Sequence, residues 1–409
     1  MLHIATVEQI KKGLVTDVYF ERTRQILKAK GIDREVRAEF MAKRLPTDWS
    51  WAVLAGVAEC IALIRDLPVD FRIMKEGTLF RPYEPVMEIR GKYLDFGRFE
   101  TAILGLLCQA SGVATMAARC RKAAGRSTLL SFGARRMHPA VSPMVERNAY
   151  IGGCDGVALV LGADLVGQKP FGTIPHALVL LMGDTVEATR AFHEVVEPEV
   201  KRVSLIDTFN DEKFEAIRVA EALGKHLFAV RLDTPSSRRG DFLRIMEEVR
   251  WELDLRGYKH VKIILSGGLD EYEIPRYHPF ADVFAVGTAI SNAPVVDLSM
   301  DIVEIDGEPV AKRGKMSGAK RVLRCRRCFR TTVLPLAERA PSSCACGGKT
   351  EELLLPMVEG GKQKRALPGA DRIRDHVLRQ LEKVDLEGPE SHDHEERRGG
   401  AKKKPHQGR

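Results

Sequence analysis

The 409-residue chain offers no apolar run that reads as long enough to span a bilayer; the longest candidate, Ala52 to Ile64, is interrupted by Glu59. Its first residues, Met1 to Glu8, lack a basic start followed by an apolar stretch. No secretory signal is therefore expected, and a cytoplasmic protein is. Aromatic residues make up only 6% of the chain, and none falls between Gly360 and Arg409. That segment carries thirteen Lys or Arg against nine Asp or Glu, so it supplies +4 of the formal +8. Without stacking platforms it reads as a solvated tail, which disfavours nucleic acid as a partner. Eight cysteines in a reducing compartment do not form a disulfide framework. Four of them, Cys60, Cys108, Cys120 and Cys154, sit in apolar or helical surroundings and read as small buried thiols.

An apolar share of 44% can build real cores, and this length predicts two or three domains. The middle of the chain is a train of short apolar runs, each ending in a polar or glycine step. They are Val203 to Thr208, Leu227 to Asp233, Val261 to Gly268, and Asp282 to Thr288. Their β-branched residues suit buried strands. Helical spacing follows the first three: Glu212 to Leu223, Asp241 to Leu255, and a shorter segment after Asp270. This rhythm predicts a parallel sheet or (β/α) barrel, with chemistry at the carboxyl ends of the strands. Those ends carry Asp207, Arg231, Asp233, Ser266-Gly267-Gly268 and Gly287-Thr288. Backbone N–H groups can approach an anion where no Cβ intervenes, so the two glycine steps predict a phosphate cup. Arg231 and Asp233, two apart, share one face of their strand.

On either side the pattern changes. Glu76 to Gly91 reads as small β-hairpins, and Phe99 to Ala124 as a helix broken or bent near Ser111-Gly112. Ile305 to Glu308 reads as a hairpin turn, and Asp371 to Lys383 as an amphipathic helix before a polar, disordered end. The expected divisions are an N-terminal α/β domain at 1–125 completed by 300–321, a catalytic barrel at 126–299, a cysteine module at 322–357, and a basic helix with its tail at 358–409.

Within that module Cys325-Arg326-Arg327-Cys328 precedes Cys344-Ala345-Cys346. Two close pairs joined by a hairpin-length spacer can set four thiolates tetrahedrally around Zn²⁺. Such a site has no open position for substrate, so a structural role is expected.

From Ser131-Phe132-Gly133-Ala134-Arg135-Arg136 onward the chain resembles a known family. The further motifs are Tyr150 to Gly156, Gly172-Thr173-Ile174-Pro175-His176-Ala177, Arg231-Leu232-Asp233-Thr234, and Ser266-Gly267-Gly268-Leu269-Asp270-Glu271. Their order and spacing are similar to those of nicotinate phosphoribosyltransferase, within the type II phosphoribosyltransferases, over roughly residues 3 to 324. The cysteine module resembles an appendage of archaeal-type members. The resemblance implies an irregular α/β barrel, an α/β domain built from both chain ends, and a small zinc-binding module. It implies transfer of phosphoribosyl from phosphoribosyl pyrophosphate to nicotinate, giving nicotinate mononucleotide for NAD biosynthesis. It further implies Mg²⁺, coupling to ATP hydrolysis through a phosphohistidine, and a homo-oligomer, dimer or higher, with shared active sites.

By the same resemblance Phe132 stacks under the pyridine ring, and Tyr19 of a partner subunit covers its other face. Arg135 grips a carboxylate or phosphate. Arg136, its neighbour on what reads as a strand, is expected to face away. His176 is the phosphate acceptor, although a His after Pro is on its own more often a hydrogen-bonded structural residue. Asp207 orients ribose hydroxyls or a Mg²⁺ bound to pyrophosphate, and Arg231 and Asp233 are further catalytic residues. Ser266, Gly267, Gly268, Gly287 and Thr288 hold the 5-phosphate. Lys312, Lys315 and Lys320 resemble a lysine-rich segment near the pyrophosphate. Where nicotinamide-using enzymes carry an Asp, this chain has Ala158, which favours the acid. The alternatives are a related enzyme using nicotinamide or quinolinate, and a zinc-knuckle nucleic-acid binder.

Overall fold

The structure is a computed structural model that describes residues 2–386 except 236 and 239. Two sheets organise it. Six parallel strands form a curled half-barrel in the order Gly156–Val157, Thr128–Ser131, Val283–Val286, Lys262–Ser266, Leu227–Leu232, Arg202–Leu205. Four of these are the apolar runs read from the sequence. They are buried because the faces of a parallel sheet are covered by its crossover helices. Helix Glu212–Leu223 starts where the Asp211 side chain accepts from Lys213 N and stops at Gly224, with φ of +52°. Helix Phe242–Leu255 is capped in the same way by Asp241.

The second sheet is antiparallel and seven-stranded. It takes Glu35–Ala42, Asp70–Ile73 and Met87–Lys92 from the N-terminal part, Leu298–Ile305 and Glu308–Pro309 from the middle, and Leu355–Glu359 and Lys362–Gln363 from the C-terminal part. The hairpin between Ile305 and Glu308 turns through Asp306 and Gly307, both at positive φ. Residues 76–91 are β structure of another kind than local hairpins. Leu79–Phe80 pairs with Ala52–Val53, and Met87–Lys92 lies between Asp70–Ile73 and Glu35–Ala42.

Helix Glu100–Ala124 joins the sheets, touching Leu298–Ile305 on one side and Thr128–Ser131 on the other. The expected break at Ser111-Gly112 is absent, and the helix runs unbroken for 25 residues. Gly112 is there for close approach: a Cβ would fall 2.3 Å from Pro294 O. This helix also corrects the reading of apolar runs. Tyr93–Ala124 is long and apolar enough to cross a membrane by length and composition, yet most of its apolar window is buried inside the protein. The small residues Ala110, Ser111, Gly112, Ala114, Ala117 and Ala118 let neighbours pack against its backbone.

A third sheet of Thr331–Pro335, Lys320–Cys325 and Thr350–Glu352 carries the cysteine module. Phe329 locks it to the N-terminal part, lying 4.5 Å from the Arg324 guanidinium and 5.7 Å from that of Arg81. Helix Ala370–Leu381 buries Ile373, Val377, Gln380 and Leu381. The polar end expected to be disordered, 387–409, lies outside the described residues.

Candidate active site

The carboxyl ends of the parallel strands open into a cavity of about 780 Å³. Phe132, Arg135, Arg231, Asp233, Ser266, Gly267, Gly268, Gly287 and Thr288 all line it. The parallel order explains the convergence, since every strand delivers its C-terminal residues to the same edge.

Arg231 is the hub. Its Nε donates to Ser266 Oγ at 2.9 Å, Nη1 to Thr173 Oγ1 at 2.9 Å, and Nη2 to Asp233 Oδ2 at 2.7 Å. Its guanidinium carbon lies 5.5 Å from the centre of the Phe132 ring. Burial pulls the Arg231 pKa down, opposed by the Asp233 and Asp207 carboxylates. Ser266 Oγ also lies 3.0 Å from Asp233 Oδ1. Three strand ends and the loop before His176 are thereby joined through one side chain. Phe132 in turn meets Phe171 at 6.3 Å between ring centres.

The glycines have geometric reasons. Gly267 and Gly268 hold φ of +88° and +71°, where side chains are strained. Gly133 allows the loop after Phe132 to pass Gly287, because a Cβ there would sit 2.6 Å from Gly287 O. That loop is not a strand. Ala134–Arg136 is a single 3₁₀ turn, so alternation does not apply, and Arg136 lines the cavity beside Arg135. The expectation that Arg136 faces away is thus corrected. No ion pair or hydrogen bond engages either guanidinium among the described residues.

His176 and Asp207 are neighbours, outside the cavity lining. His176 opens helix His176–Met182, with Nδ1 3.0 Å from Thr208 Oγ1 and Nε2 3.9 Å from Asp207 Oδ1. The imidazole is 42% exposed and the Asp207 side chain only 1%. Both Asp207 oxygens are buried without a hydrogen-bond partner. Burial pushes the Asp207 carboxyl up, and His176 pulls it back. Thr173 links this pair to the cavity, because it bonds Arg231 from the loop that leads into His176.

Tyr19 lies elsewhere, 56% exposed on helix Val18–Ala29. Lys312, Lys315 and Lys320 are likewise not among the cavity lining. Lys312 and Lys315 both pair with Asp301, and Lys320 pairs with Glu39 at 2.7 Å. The sequence reading passed over Thr173 although it lay inside a quoted motif. Thr208, the polar end of the first apolar run, carried no expected role, and no spacing singled out Glu146.

At the cysteine module the four sulfur atoms of Cys325, Cys328, Cys344 and Cys346 lie within 4.8 Å of one another. The N–H groups of Arg327 and Cys328 point at Cys325 Sγ at 3.4 and 3.5 Å. They pull that thiol down to about 6, toward the thiolate that a metal requires. A Cβ at Gly348 would fall 2.6 Å from Cys325 Sγ, so this glycine keeps the sulfurs together. The group can hold a metal such as zinc. The other four cysteines are free thiols, three of them fully buried.

A curled parallel sheet with arginines, paired acids and glycine turns at one edge defines an enzyme of the phosphoribosyltransferase class. Residues 17–111 match the family described as Quinolinate phosphoribosyl transferase, N-terminal domain, and residues 113–301 its C-terminal domain. The nicotinate phosphoribosyltransferase pncB1 of Mycobacterium tuberculosis is 30% identical over 394 residues, covering 86% of each chain. That of Bacillus subtilis is 28% identical, covering 69% of this chain and 64% of the other. A solved structure from Pyrococcus furiosus, described as nicotinate-nucleotide pyrophosphorylase, is 52% identical with a TM-score of 0.92, covering 94% of this chain and 99% of that one. Human nicotinic acid phosphoribosyltransferase, at 19% identity and a TM-score of 0.74, shares the fold over 90% of this chain and 94% of its own. The chain belongs to the nicotinate phosphoribosyltransferase family.

Proposed function

We propose that the protein transfers phosphoribosyl from phosphoribosyl pyrophosphate to nicotinate, yielding nicotinate mononucleotide and pyrophosphate for NAD biosynthesis. One observation carries this reading: an aromatic floor, two uncommitted arginines, the Arg231–Asp233–Ser266 cluster and two glycine turns border a single cavity. In the reaction the pyridine nitrogen lone pair forms a bond to the ribosyl C1, and the C1–O electron pair leaves with pyrophosphate. The carbon is cation-like in between, so the site must fix an anion on each side of it and exclude water. Phe132 offers the floor for the ring. The arginine turn offers forked donors for the carboxylate and a phosphate. Gly267, Gly268, Gly287 and Thr288 suit the 5-phosphate.

The buried, partnerless oxygens of Asp207 suit a cation or ribose hydroxyls, so Asp207 and Asp233 are the residues that would hold Mg²⁺. That ion would supply neutralisation of the leaving pyrophosphate. His176 is assigned the role of accepting a phosphoryl group from ATP. In the tautomer whose Nδ1–H donates to Thr208, Nε2 keeps its lone pair for the attack. Tyr19, exposed on its helix, is assigned to the partner's cavity, which makes the working unit at least a homodimer. Free thiols and a thiolate metal site fit the cytoplasm.

Quinolinate is disfavoured because it brings two carboxylates besides the phosphates, while the basic residues lining the cavity among the described residues are only Arg135, Arg136 and Arg231, the last already paired with Asp233. Nicotinamide is disfavoured because Ala158 offers no carboxylate to its amide. The test is a substrate panel of nicotinate, nicotinamide and quinolinate, each with phosphoribosyl pyrophosphate, with and without ATP. Pyrophosphate release is expected with nicotinate and to rise with ATP. No turnover with any pyridine acid would overturn the proposal.

Zinc is assigned a structural role at Cys325, Cys328, Cys344 and Cys346. Elemental analysis of native protein is expected to give about one zinc per chain. Stripping it is expected to lower the unfolding temperature, because binding free energy at such a site is folding free energy. Native protein without zinc would remove this assignment.

A further inference from the structure

Behind the cavity wall lies a carboxyl group not used above. Glu146, on helix Ser142–Gly152, is 0% exposed. Its Oε1 accepts from Ser131 Oγ at 2.8 Å. Its Oε2 accepts from the N–H groups of Ala158 at 2.7 Å and Leu159 at 3.3 Å. Ser131 ends the strand that delivers Phe132, while Ala158 and Leu159 line the same cavity. One side chain therefore ties the aromatic floor to the neighbouring strand end, since Ser131 pairs with Val157. The same helix fixes a third point, because Ser142 Oγ lies 3.0 Å from Ala134 O in the turn that carries Arg135 and Arg136. Gly162 leaves room for this arrangement: a Cβ there would fall 2.7 Å from Glu146 Cβ. Burial pushes the Glu146 carboxyl up, and hydrogen bonds to Ser131, Ala158 and Leu159 pull it back. An apolar residue would fill this place without desolvating a carboxyl, so its presence points to a positional task.

We infer that Glu146 is a positioning residue that sets recognition of the pyridine acid. This rests on the function proposed above. Glu146 fixes the relative placement of Phe132 and Ala158–Leu159 at two adjacent strand ends. It also occupies both wall N–H groups, so they are not donors for the substrate, whose carboxylate is directed to the arginine turn. A glutamine can reproduce the arrangement: its amide oxygen accepts from the two N–H groups and its NH₂ donates to Ser131 Oγ. An alanine cannot.

The experiment is steady-state kinetics of Glu146→Ala, Glu146→Gln and Ser131→Ala, varying nicotinate and phosphoribosyl pyrophosphate separately, with unfolding temperatures measured alongside. Glu146→Ala is expected to raise KM for nicotinate by about tenfold or more while KM for phosphoribosyl pyrophosphate stays within about twofold. Its preference for nicotinate over nicotinamide is expected to shrink. Glu146→Gln is expected to recover nicotinate KM to within about threefold of the natural protein. Equal losses for both substrates, or a Gln variant no better than Ala, would overturn the inference. Should the Ala variant not fold, Ser131→Ala, which removes one tie and keeps the carboxyl, carries the test. A selective rise in nicotinate KM then supports the inference and an unchanged KM overturns it. A natural protein inactive toward nicotinate would sink the proposed function, whereas an active one with indifferent Glu146 variants sinks this inference alone.

Discussion

Arg231→Ala is expected to lower kcat/KM for nucleotide formation by about 10²-fold. The guanidinium holds Ser266, Thr173 and Asp233 at once, at 2.9, 2.9 and 2.7 Å. Its side chain is 12% exposed and that of Asp233 is 20%, so the pair is largely screened from water. Breaking such a pair by removing one partner costs about 3–5 kcal/mol, because the other charge stays behind without compensation. Each 1.4 kcal/mol is about a factor of ten in rate, and the partial exposure places the effect toward the lower end of that range. The loss is local. Asp233 would lose its charged partner, and the loop before His176 would lose its tie to the cavity. Arg231→Lys tests geometry against charge: a point ammonium cannot fork toward three acceptors, so it is expected to lie nearer to alanine than to the natural residue. Kinetics with an unfolding-temperature control decide the matter. Activity within tenfold of the natural protein would mean that the cluster is structural.

The parallel sheet was legible because each of its features is local. A buried strand is a continuous apolar run, its carboxyl end is a polar or glycine step, and its helix begins with a capping Asp. Helix Glu212–Leu223 follows its sequence pattern residue for residue, since Asp211 and Gly224 mark both ends. The antiparallel sheet was less legible. Leu355–Glu359 pairs with Asp70–Ile73, a partner almost three hundred residues away, and no local signal specifies such a pairing. Glycine misled in one place. In isolation Gly112 weakens a helix by about 1 kcal/mol and reads as a break. In the folded chain it is required by the backbone of Pro294, and packing overrides propensity.

The candidate site divides along the same line. Residues at strand ends converge because the sheet gathers them. Arg136 was misplaced because alternation holds only on a strand, and Gly133 lets the chain leave the strand one residue after Phe132. Glu146 was illegible because a buried acid on a helix face looks like any exposed one until its partners are seen. Tyr19 poses the opposite case. Among the described residues its one ring contact is with Phe20, 4.2 Å away between centres.

His176→Ala is expected to abolish the stimulation of transfer by ATP while basal transfer without ATP survives. The imidazole lies outside the cavity lining, so its removal leaves the arginine turn, Phe132 and the glycine turns in place. What disappears is the imidazole nitrogen beside Asp207, and with it the proposed phosphoryl acceptor. The Asp207 carboxyl, already pushed up by burial, loses the His176 interaction that pulls it back and should rise further. Basal transfer in the variant is then expected to fall off from a higher pH than in the natural protein as the medium is acidified, because a carboxyl of higher pKa is protonated sooner. Two measurements check this: pyrophosphate release with and without ATP, and the pH profile of the reaction without ATP. Unchanged ATP stimulation in the variant would exclude His176 as the acceptor, and an unmoved acid limb would detach Asp207 from the reaction.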